Sequence, residues 1–290
     1  MRKILFFVLF LITLFFIVDR IGAIGIKKLL NKTEVPFLVD VNYMTSAMNE
    51  DLLLFGTSKT QHGINPLFIE DSIGMPTYNC GISGGRNIYT QYMLLNYILD
   101  RYVPKMIVLQ IGLNDIIKER DPYQFKKFAH LYSQNEVCDS FLVYVNNDKG
   151  LMISHLYRYN EISKQIIAGL TPLKNAKHIK GFEPLDTVAK RILPPAPPKF
   201  GYSDNDIDSL KLETLIRFIK ICNDKKIRLL MVAIPSYNYY QENFYEPIKK
   251  IAHQYDIPFF DYNDNSLFLD KPEYFYDNAH IRCFPSLSIF

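Results

Sequence analysis

The sequence has no tryptophan, and its cysteines never occur in the C-x-x-C spacing of a structural zinc site. The four cysteines are Cys80, Cys138, Cys222 and Cys283. Lysine and arginine are scattered along the chain, and the formal net charge is only +3. A nucleic-acid-binding domain instead gathers its basic residues in a patch or a stripe. We therefore expect small buried cysteines, no zinc site and no nucleic-acid partner.

The glycine-containing segments do not match the nucleotide-binding motifs. Residues 81–85 lack the spacing of the dinucleotide fingerprint, and residues 56–60 lack the upstream glycine of a Walker motif. Residues 261–265 begin like a calcium-binding loop, but Ser266 replaces the turn glycine and Pro272 takes the place of the bidentate glutamate. We therefore expect no NAD, no ATP, no metal and no other cofactor.

The chain is long and apolar enough to form a substantial core. Its 290 residues are 48% hydrophobic, which favours one globular domain with insertions. The 20 tyrosines and 21 phenylalanines provide flat and partly polar surfaces. Such side chains suit contacts with sugars or lipids, but they are equally common in core and rim packing, which we favour here.

An uncharged apolar run from residue 4 to residue 18 is closed by Asp19 and Arg20. A full membrane span needs roughly 20 residues, so the run is short unless its charged flanks sit at the interface. The residues after Arg20 form a poor signal-peptide cleavage site. We predict that residues 1–26 are an uncleaved, single-pass anchor in the cytoplasmic (inner) membrane. Residues 27–50 then form a connector, and the catalytic domain, residues 51–290, faces the periplasm or the outside.

After the connector, strand-like and helix-like patterns alternate along the chain. The predicted strands are residues 51–55, 77–80, 106–111, 228–234 and 257–262. The predicted helices are residues 65–72, 86–101, 204–224 and 241–255. This alternation predicts an α/β fold with a parallel sheet flanked by helices. Residues 118–202 break the pattern, so we interpret them as an insertion that either covers the rim of the sheet or forms a solvated spacer.

Three loops that follow predicted strands carry polar residues or glycine. Ser58 follows the first strand, residues 81–85 follow the second, and residues 112–115 follow the third. The carboxyl ends of parallel strands gather at one edge of the sheet, and ligands bind there. The topology therefore predicts that these loops converge on one site.

The residues in these loops, together with a pair near the end of the chain, are those that acyl transfer requires. A serine hydroxyl becomes a good nucleophile when a base takes its proton, and His280 is the natural base for Ser58. Asp277 could hold the imidazole in the tautomer that leaves its other nitrogen free. The oxyanion needs fixed donors. The candidates are the Ser58 backbone N–H, the Gly84 backbone N–H and the Asn114 side-chain amide.

Four blocks, in this order, resemble the SGNH or GDSL hydrolase superfamily. They are Gly56-Thr57-Ser58, Asn79-Cys80-Gly81-Ile82-Ser83-Gly84, Gly112-Leu113-Asn114-Asp115 and Asp277-Asn278-Ala279-His280. The resemblance covers roughly residues 50–120 and 205–283. It implies a flavodoxin-like three-layer α/β/α sandwich, the SGNH hydrolase fold, with no metal and with hydrolysis or transfer of acyl esters.

Together with the predicted transmembrane helix, the blocks further resemble exported members that act on O-acetyl groups of cell-surface polysaccharides. The resemblance implies an acylated carbohydrate or lipid-linked glycan as substrate. Water as acceptor would give an esterase, and a sugar hydroxyl would give an acyltransferase. His62, which is close to Ser58 in sequence, could line the site.

Each of these residues also has a structural interpretation. Ser58 and Asn114 could simply cap helices, Asp277 and His280 could be a solvated pair, and Asp115 is expected to be structural. Family members usually continue into a terminal helix after the histidine, which Pro285 obstructs here. We therefore expect His280 to be less firmly held. The alternative function is a weak or inactive member that binds polysaccharide or a membrane acyltransferase partner.

Overall fold

The computed structural model divides the chain into two compact units. The first unit contains Met1–Thr45 and Asp121–Asn175, and the second contains Ser46–Arg120 and Ala176–Phe290. The predicted insertion, residues 118–202, is thus shared between the two units. The described residues are 1–84, 87–112, 115–118, 122–146, 148–170, 179–185, 199–200, 203–237, 239–240, 244–263, 268 and 271–282.

The second unit is built on a parallel sheet of five strands within the described residues. These strands are β1 (Leu52–Gly56), β2 (Thr77–Gly81), β3 (Met106–Gln110), β5 (Arg228–Ala233) and β7 (Phe259–Asp261), in the spatial order β2-β1-β3-β5-β7. Every neighbouring pair is parallel, which confirms the predicted sheet. Two-residue strands β4 (Lys199–Phe200) and β6 (Tyr239–Tyr240) form a separate parallel pair.

The two strands at one end of the large sheet, the edge strand β2 and its neighbour β1, are fully buried. All five residues of β1 and of β2 are buried, as expected for strands that are covered on both faces. Taken in chain order, the five strands of the large sheet lie 2-1-3-4-5, which is the flavodoxin-like order. The predicted fold class is therefore confirmed.

Helices flank this sheet, and most of them begin at a side-chain cap. They are α3 (Ser58–Gly63), α4 (Pro66–Ile73), α5 (Ile88–Leu99), α9 (Ser209–Asp224) and α10 (Glu246–Gln254). The Asn65 side chain caps α4 ahead of Pro66. Short 3₁₀ segments lie at Asp204–Asp206 and Pro272–Tyr274.

Two helices begin five residues later than the periodicity predicts, each for a local reason. The helix predicted from residue 204 begins at Ser209, because the Asp208 carboxylate accepts hydrogen bonds from the N–H groups of Leu210 (3.0 Å) and Lys211 (3.2 Å). The helix predicted from residue 241 begins at Glu246, where a proline occupies the first turn.

The first unit is helical in its described residues. It contains α1 (Arg2–Leu30), α2 (Pro36–Ser46), α6 (Glu136–Asn146), α7 (Gly150–Ile153) and α8 (Ser163–Ala168), with 3₁₀ segments at Pro122–Leu131 and Tyr157–Tyr159. The predicted connector, residues 27–50, is therefore largely helical. Helix α1 is 29 residues long and is the one helix in the described part of the chain that is long and apolar enough to cross a membrane. A signal sequence has the same properties.

Candidate active site

Ser58 lies at the point where the strand order of the large sheet reverses. Strand β1 is flanked by β2 on one side and by β3 on the other, and Gly56 pairs with Gly81 at the carboxyl ends of β1 and β2. In open parallel sheets, ligands bind in the crevice outside the carboxyl ends of the strands at this switch point. The sheet therefore places Ser58, two residues after β1, at the position where a ligand site is expected.

The turn that carries Ser58 is tightly packed and tied to β3. A Cβ atom on Gly56 would lie 2.0 Å from Thr60 Oγ1, so only glycine fits there. The Thr57 backbone N–H and hydroxyl both donate to Gln110 Oε1, at 3.1 Å and 2.9 Å. Thr57 also caps α3, whose first residue is Ser58. The Ser58 N–H thus lies in the first turn, where no intrahelical acceptor is available.

Asn79, the third residue of β2, fixes helix α3 against the sheet. Its buried side-chain amide donates to the carbonyls of Thr60 (2.7 Å) and Ile64 (2.8 Å), and its Oδ1 accepts from the Gly81 N–H at 2.9 Å. The Thr60 carbonyl also accepts the Ile64 N–H at 3.1 Å, so the Asn79 amide adds a second donor at the end of α3. Asn79 therefore positions the helix that begins with Ser58.

Ser58, His280 and Asp277 form a continuous hydrogen-bonded chain. His280 Nε2 lies 2.8 Å from Ser58 Oγ, and His280 Nδ1 lies 2.9 Å from Asp277 Oδ1 and 3.0 Å from Oδ2. With the proton on Nδ1 donated to the carboxylate, Nε2 is left as the acceptor for the serine hydroxyl. The three predicted triad residues therefore meet in the geometry of a nucleophile, a base and its orienting acid.

Asp277 is ionised in this arrangement. Its burial by itself raises the pKa, but hydrogen bonds from the His280 side chain and from the backbone N–H groups of Ala279 and His280 outweigh burial and lower the pKa. Those two backbone bonds, at 2.8 Å and 2.9 Å, both end on Oδ1. The carboxylate thus keeps a negative charge at neutral pH and favours a positive charge on His280 when the imidazole takes a proton.

A short loop holds His280 in place. Phe275 and Ile281, both buried, form an antiparallel bridge on either side of the loop. The Tyr276 N–H donates to the His280 carbonyl at 2.8 Å, and Arg282 donates to the carbonyls of Tyr274 and Phe275. The side chain of His280 is only 19% exposed. The expectation that His280 is loosely held is therefore wrong for the described residues around it.

The chain was compared with protein families, with curated proteins and with solved structures. No protein-family model matches the chain, and no curated protein matches it. The chain is similar to an acylhydrolase and to esterases of known structure. A putative acylhydrolase from Bacteroides fragilis is 11% identical (86% of this chain, 89% of that chain, TM-score 0.42). The esterase AlinE4 of the SGNH-hydrolase family is 15% identical (73% and 77%, TM-score 0.33).

An acetyl xylan esterase is also similar, with 14% identity over 80% of this chain and 91% of that chain and a TM-score of 0.38. At such low identities and TM-scores, these similarities are too weak to assign an activity. The features that bear on function are therefore the sheet, the strand order and the hydrogen-bonded triad of the chain itself.

His62 lies beside the triad and pairs with a second serine. Its ring is T-shaped against that of His280, with the centroids 5.6 Å apart. Nε2 lies 2.8 Å from Ser83 Oγ, and Nδ1 lies 2.6 Å from the Glu183 carbonyl. Burial lowers the pKa of His62, so the ring is neutral at neutral pH and accepts the Ser83 hydroxyl. His62 therefore lies next to the site, where the sequence predicts it.

The structure describes only some of the predicted oxyanion donors. Gly84 is exposed, follows β2 by three residues and has a φ of 94°, a conformation that favours glycine. Asn114 lies outside the described residues. Asp115 is buried and accepts the Gly112 N–H at 2.7 Å, which confirms its structural role.

Several residues of the site cannot be found from motifs. Gln61 follows Ser58 by three residues on α3, and its Oε1 accepts the Ser83 N–H at 2.8 Å. The Gln61 carbonyl accepts the N–H of Glu183 at 3.0 Å. Helical spacing from Ser58 points to Gln61 and His62. Glu183 carries no such signal, because it comes from the segment interpreted as an insertion.

Replacing Gly81 by alanine tests how closely α3 packs on β2. A Cβ atom there would lie 2.4 Å from the backbone nitrogen of Gln61, so the helix must shift. We expect a loss of about 1–3 kcal/mol in the free energy of unfolding, as is typical of overpacking. Gly63→Ala in the same helix is the control, since no atom lies within 4 Å of its Cβ position. Equal denaturation midpoints for the two variants would contradict this packing.

Proposed function

We propose that the chain is a serine-dependent ester hydrolase of the SGNH hydrolase superfamily. The observation that carries this proposal is the chain of contacts Ser58 Oγ to His280 Nε2 (2.8 Å) and His280 Nδ1 to Asp277 (2.9 Å) at the topological switch point. The four motif blocks support the same assignment. Neither a capping serine nor a solvated aspartate–histidine pair requires all three side chains to meet.

The geometry supports a two-step acyl transfer. In the first step, His280 Nε2 takes the proton of Ser58 Oγ while the oxygen attacks the acyl carbon. The tetrahedral intermediate collapses when the C–O bond to the alcohol breaks, and the imidazolium returns its proton to the leaving oxygen. In the second step, His280 activates an acceptor hydroxyl that attacks the acyl-enzyme and restores Ser58. The ionised Asp277 stabilises the imidazolium in both steps.

The oxyanion donors are the backbone N–H groups of Ser58 and Gly84 and the amide of Asn114. Ser58 N–H lies in the first turn of α3 and is oriented by the Thr57 bonds to Gln110. The loop that bears Gly84 is tied to α3 through Ser83, which bonds to Gln61 and His62. Loss of one such donor costs about 10²–10³ in kcat in other enzymes of this chemistry.

We further propose that the substrate is an O-acyl group, in particular an O-acetyl group, of a cell-surface carbohydrate or lipid-linked glycan. This assignment follows the sequence resemblance to exported, membrane-anchored members. It is supported by the long apolar helix α1, which we propose spans the inner membrane once and leaves the catalytic residues on the periplasmic side. Water as the acceptor gives an esterase, and a sugar hydroxyl gives an acyltransferase.

Asp277→Asn is expected to lower kcat by about 10⁴-fold with little change in KM. The asparagine oxygen can still accept from the N–H groups of Ala279 and His280, so its amide group faces Nδ1 and donates to it. This forces the imidazole proton onto Nε2, which can then no longer accept the Ser58 proton. Steady-state kinetics with 4-nitrophenyl acetate measure the effect. The exposed Asp256→Asn is the control, and a drop of less than tenfold would contradict the orienting role.

The substrate proposal is tested with the full chain in lipid nanodiscs. Acetate release from an O-acetylated glycan and from 4-nitrophenyl acetate is measured for the intact protein and for Ser58→Ala. Ser58-dependent release from both compounds supports the proposed substrate. Release from the simple ester alone would support the esterase but contradict the glycan. No release from either would favour the alternative of a binding protein.

A further inference from the structure

Helix α1 changes character at Asp19. Every residue from Met1 to Val18 is exposed, and most of these side chains are large and apolar. From Asp19 onwards one side of the helix is buried, at Asp19, Ala23 and Leu30, which is helical spacing. Ala23 and Leu30 belong to a core cluster with Tyr159, Ile162 and Ile166 of the same unit. The first part of α1 is thus largely exposed, and the second part is an integral helix of the first unit.

The carboxylate of Asp19 attaches this point of the helix to the segment after α7. It is 4% exposed and accepts hydrogen bonds from the Ser154 hydroxyl and from the N–H groups of His155 (2.9 Å) and Leu156 (3.0 Å). It also pairs with Arg20, whose guanidinium lies 3.5 Å from the Ile153 carbonyl. The charge of Asp19 is therefore well compensated, and residues 153–156 are held at the level of Asp19 and Arg20.

Two large apolar side chains project from this segment without protein cover. In α7, Leu151 is 2% exposed, whereas Met152 is 57% and Ile153 is 58% exposed. The segment is not loose, because Arg158 Nε donates to the Leu151 carbonyl at 2.9 Å and the Tyr157 hydroxyl donates to Asp148 at 2.8 Å. A fixed pair of exposed apolar side chains next to a membrane-length helix is typical of a lipid contact.

The length of the apolar surface on α1 determines how deep Met152 and Ile153 lie in the bilayer. Residues 4–18 rise only about 22 Å along a helix, which is short of the roughly 30 Å hydrocarbon core. The exposed surface of α1 remains apolar at Ile21 (65%) and Ile24 (58%). Residues 4–24 rise about 31 Å, which matches the bilayer. Asp19 and Arg20 then lie within the hydrocarbon layer of the bilayer, close to its surface.

We propose that Met152 and Ile153 form a second membrane contact, inserted at the bilayer surface beside α1 and held there by the Asp19 carboxylate. This inference rests on the proposed membrane placement of α1. The partner is the lipid bilayer, because the exposed apolar pair is fixed at a level where α1 itself is still apolar and exposed. The Asp19 carboxylate joins α1 to this segment, because the N–H groups of His155 and Leu156 both donate to it. Removal of Asp19 would leave these two N–H groups without this acceptor.

Because the chain has no tryptophan, the fluorescence of a single introduced tryptophan reports on one position. A single tryptophan is introduced into the full chain as Ile153→Trp, Phe10→Trp or Phe260→Trp, and each variant is reconstituted in phosphatidylcholine vesicles. The lipids carry bromine atoms either near the headgroup end or near the middle of the acyl chains, and bromine quenches tryptophan emission on contact. Phe10 lies in the exposed apolar run, and Phe260 is a 47% exposed residue of the second unit.

For Ile153→Trp we expect about a twofold loss of emission with the shallow bromines and less with the deep ones, as for side chains roughly 5–10 Å into the interface. Phe10→Trp should be quenched by the deep bromines, and Phe260→Trp by neither. Quenching at residue 10 with none at residue 153 would overturn the second contact alone. No quenching at residue 10 would overturn the membrane placement of α1 itself.

Discussion

Ser58→Ala is expected to reduce kcat for ester hydrolysis by about 10⁴–10⁶-fold, because it removes the oxygen that forms the acyl-enzyme. Ser58 Oγ lies 2.8 Å from His280 Nε2, so the hydroxyl is in line to lose its proton to the imidazole. The residual rate above the uncatalysed reaction would come from the oxyanion donors and substrate binding. The measurement is steady-state hydrolysis of 4-nitrophenyl acetate by the full chain in nanodiscs.

A matched control separates this effect from a general loss of structure. Ser72 is an exposed serine on α4 whose hydroxyl donates to the Phe68 carbonyl at 2.7 Å, and Ser72→Ala should leave kcat unchanged. Ser58→Ala should also leave the denaturation midpoint nearly unchanged, since surface-accessible polar groups contribute little to stability. More than a tenth of the normal kcat in Ser58→Ala would contradict the role of Ser58.

His280→Ala is the second substitution with a very large expected effect. It removes the only base that the described residues place on Ser58 Oγ, so kcat should fall by about 10⁴–10⁶-fold. Because the two residues act as a unit, the double variant Ser58→Ala/His280→Ala should be no slower than either single variant. Activity is measured with the same ester, and a multiplicative loss in the double variant would show that the residues act independently.

His253 provides the comparison for His280. It is an exposed histidine at the end of α10, and its replacement by alanine should leave kcat within about twofold of the intact protein, as for surface substitutions in general. His62→Ala is not a suitable control, because His62 contacts the loop that carries Gly84. A fall in kcat for His253→Ala similar to that for His280→Ala would contradict the assignment of the base.

The sheet and the triad could be predicted from the sequence because both have local signals. The apolar runs Leu52–Gly56 and Met106–Gln110 are strands β1 and β3, and parallel strands bring their following loops to one edge. Asp277 and His280 were predicted from a short motif, and their contact with Ser58 follows from the same topology. The alternation of strands and helices was sufficient for the strand positions, although two helices begin five residues later than predicted.

The supports of the site could not be predicted, because they depend on contacts between distant parts of the chain. Gln110 orients the Thr57 turn from the end of β3, and Asn79 holds α3 from the middle of β2. In the sequence, both look like ordinary polar residues in a strand. The same is true of Asp19, which reads as the polar end of an apolar run but is buried against residues 154–156.

The segment around residues 118–202 shows a second limit of sequence analysis. Its aromatic and charged composition has no clear period, yet it contains α6, α7 and α8 in the first unit. Short helices of four to eleven residues give too few turns for a reliable periodic signal. Residues 179–185 instead lie in the second unit, where the Asn79 N–H donates to the Lys180 carbonyl along the outer edge of β2.

Covalent labelling with a fluorophosphonate tests the central claim most directly. The probe reacts with a serine whose proton is removed by a neighbouring base, so it reports the activated nucleophile without any assumption about the substrate. We predict that the intact chain is labelled at Ser58, as located by peptide mass spectrometry, and that labelling is lost in Ser58→Ala and in His280→Ala. An intact protein that is not labelled, or labelling that persists in Ser58→Ala, would contradict the account.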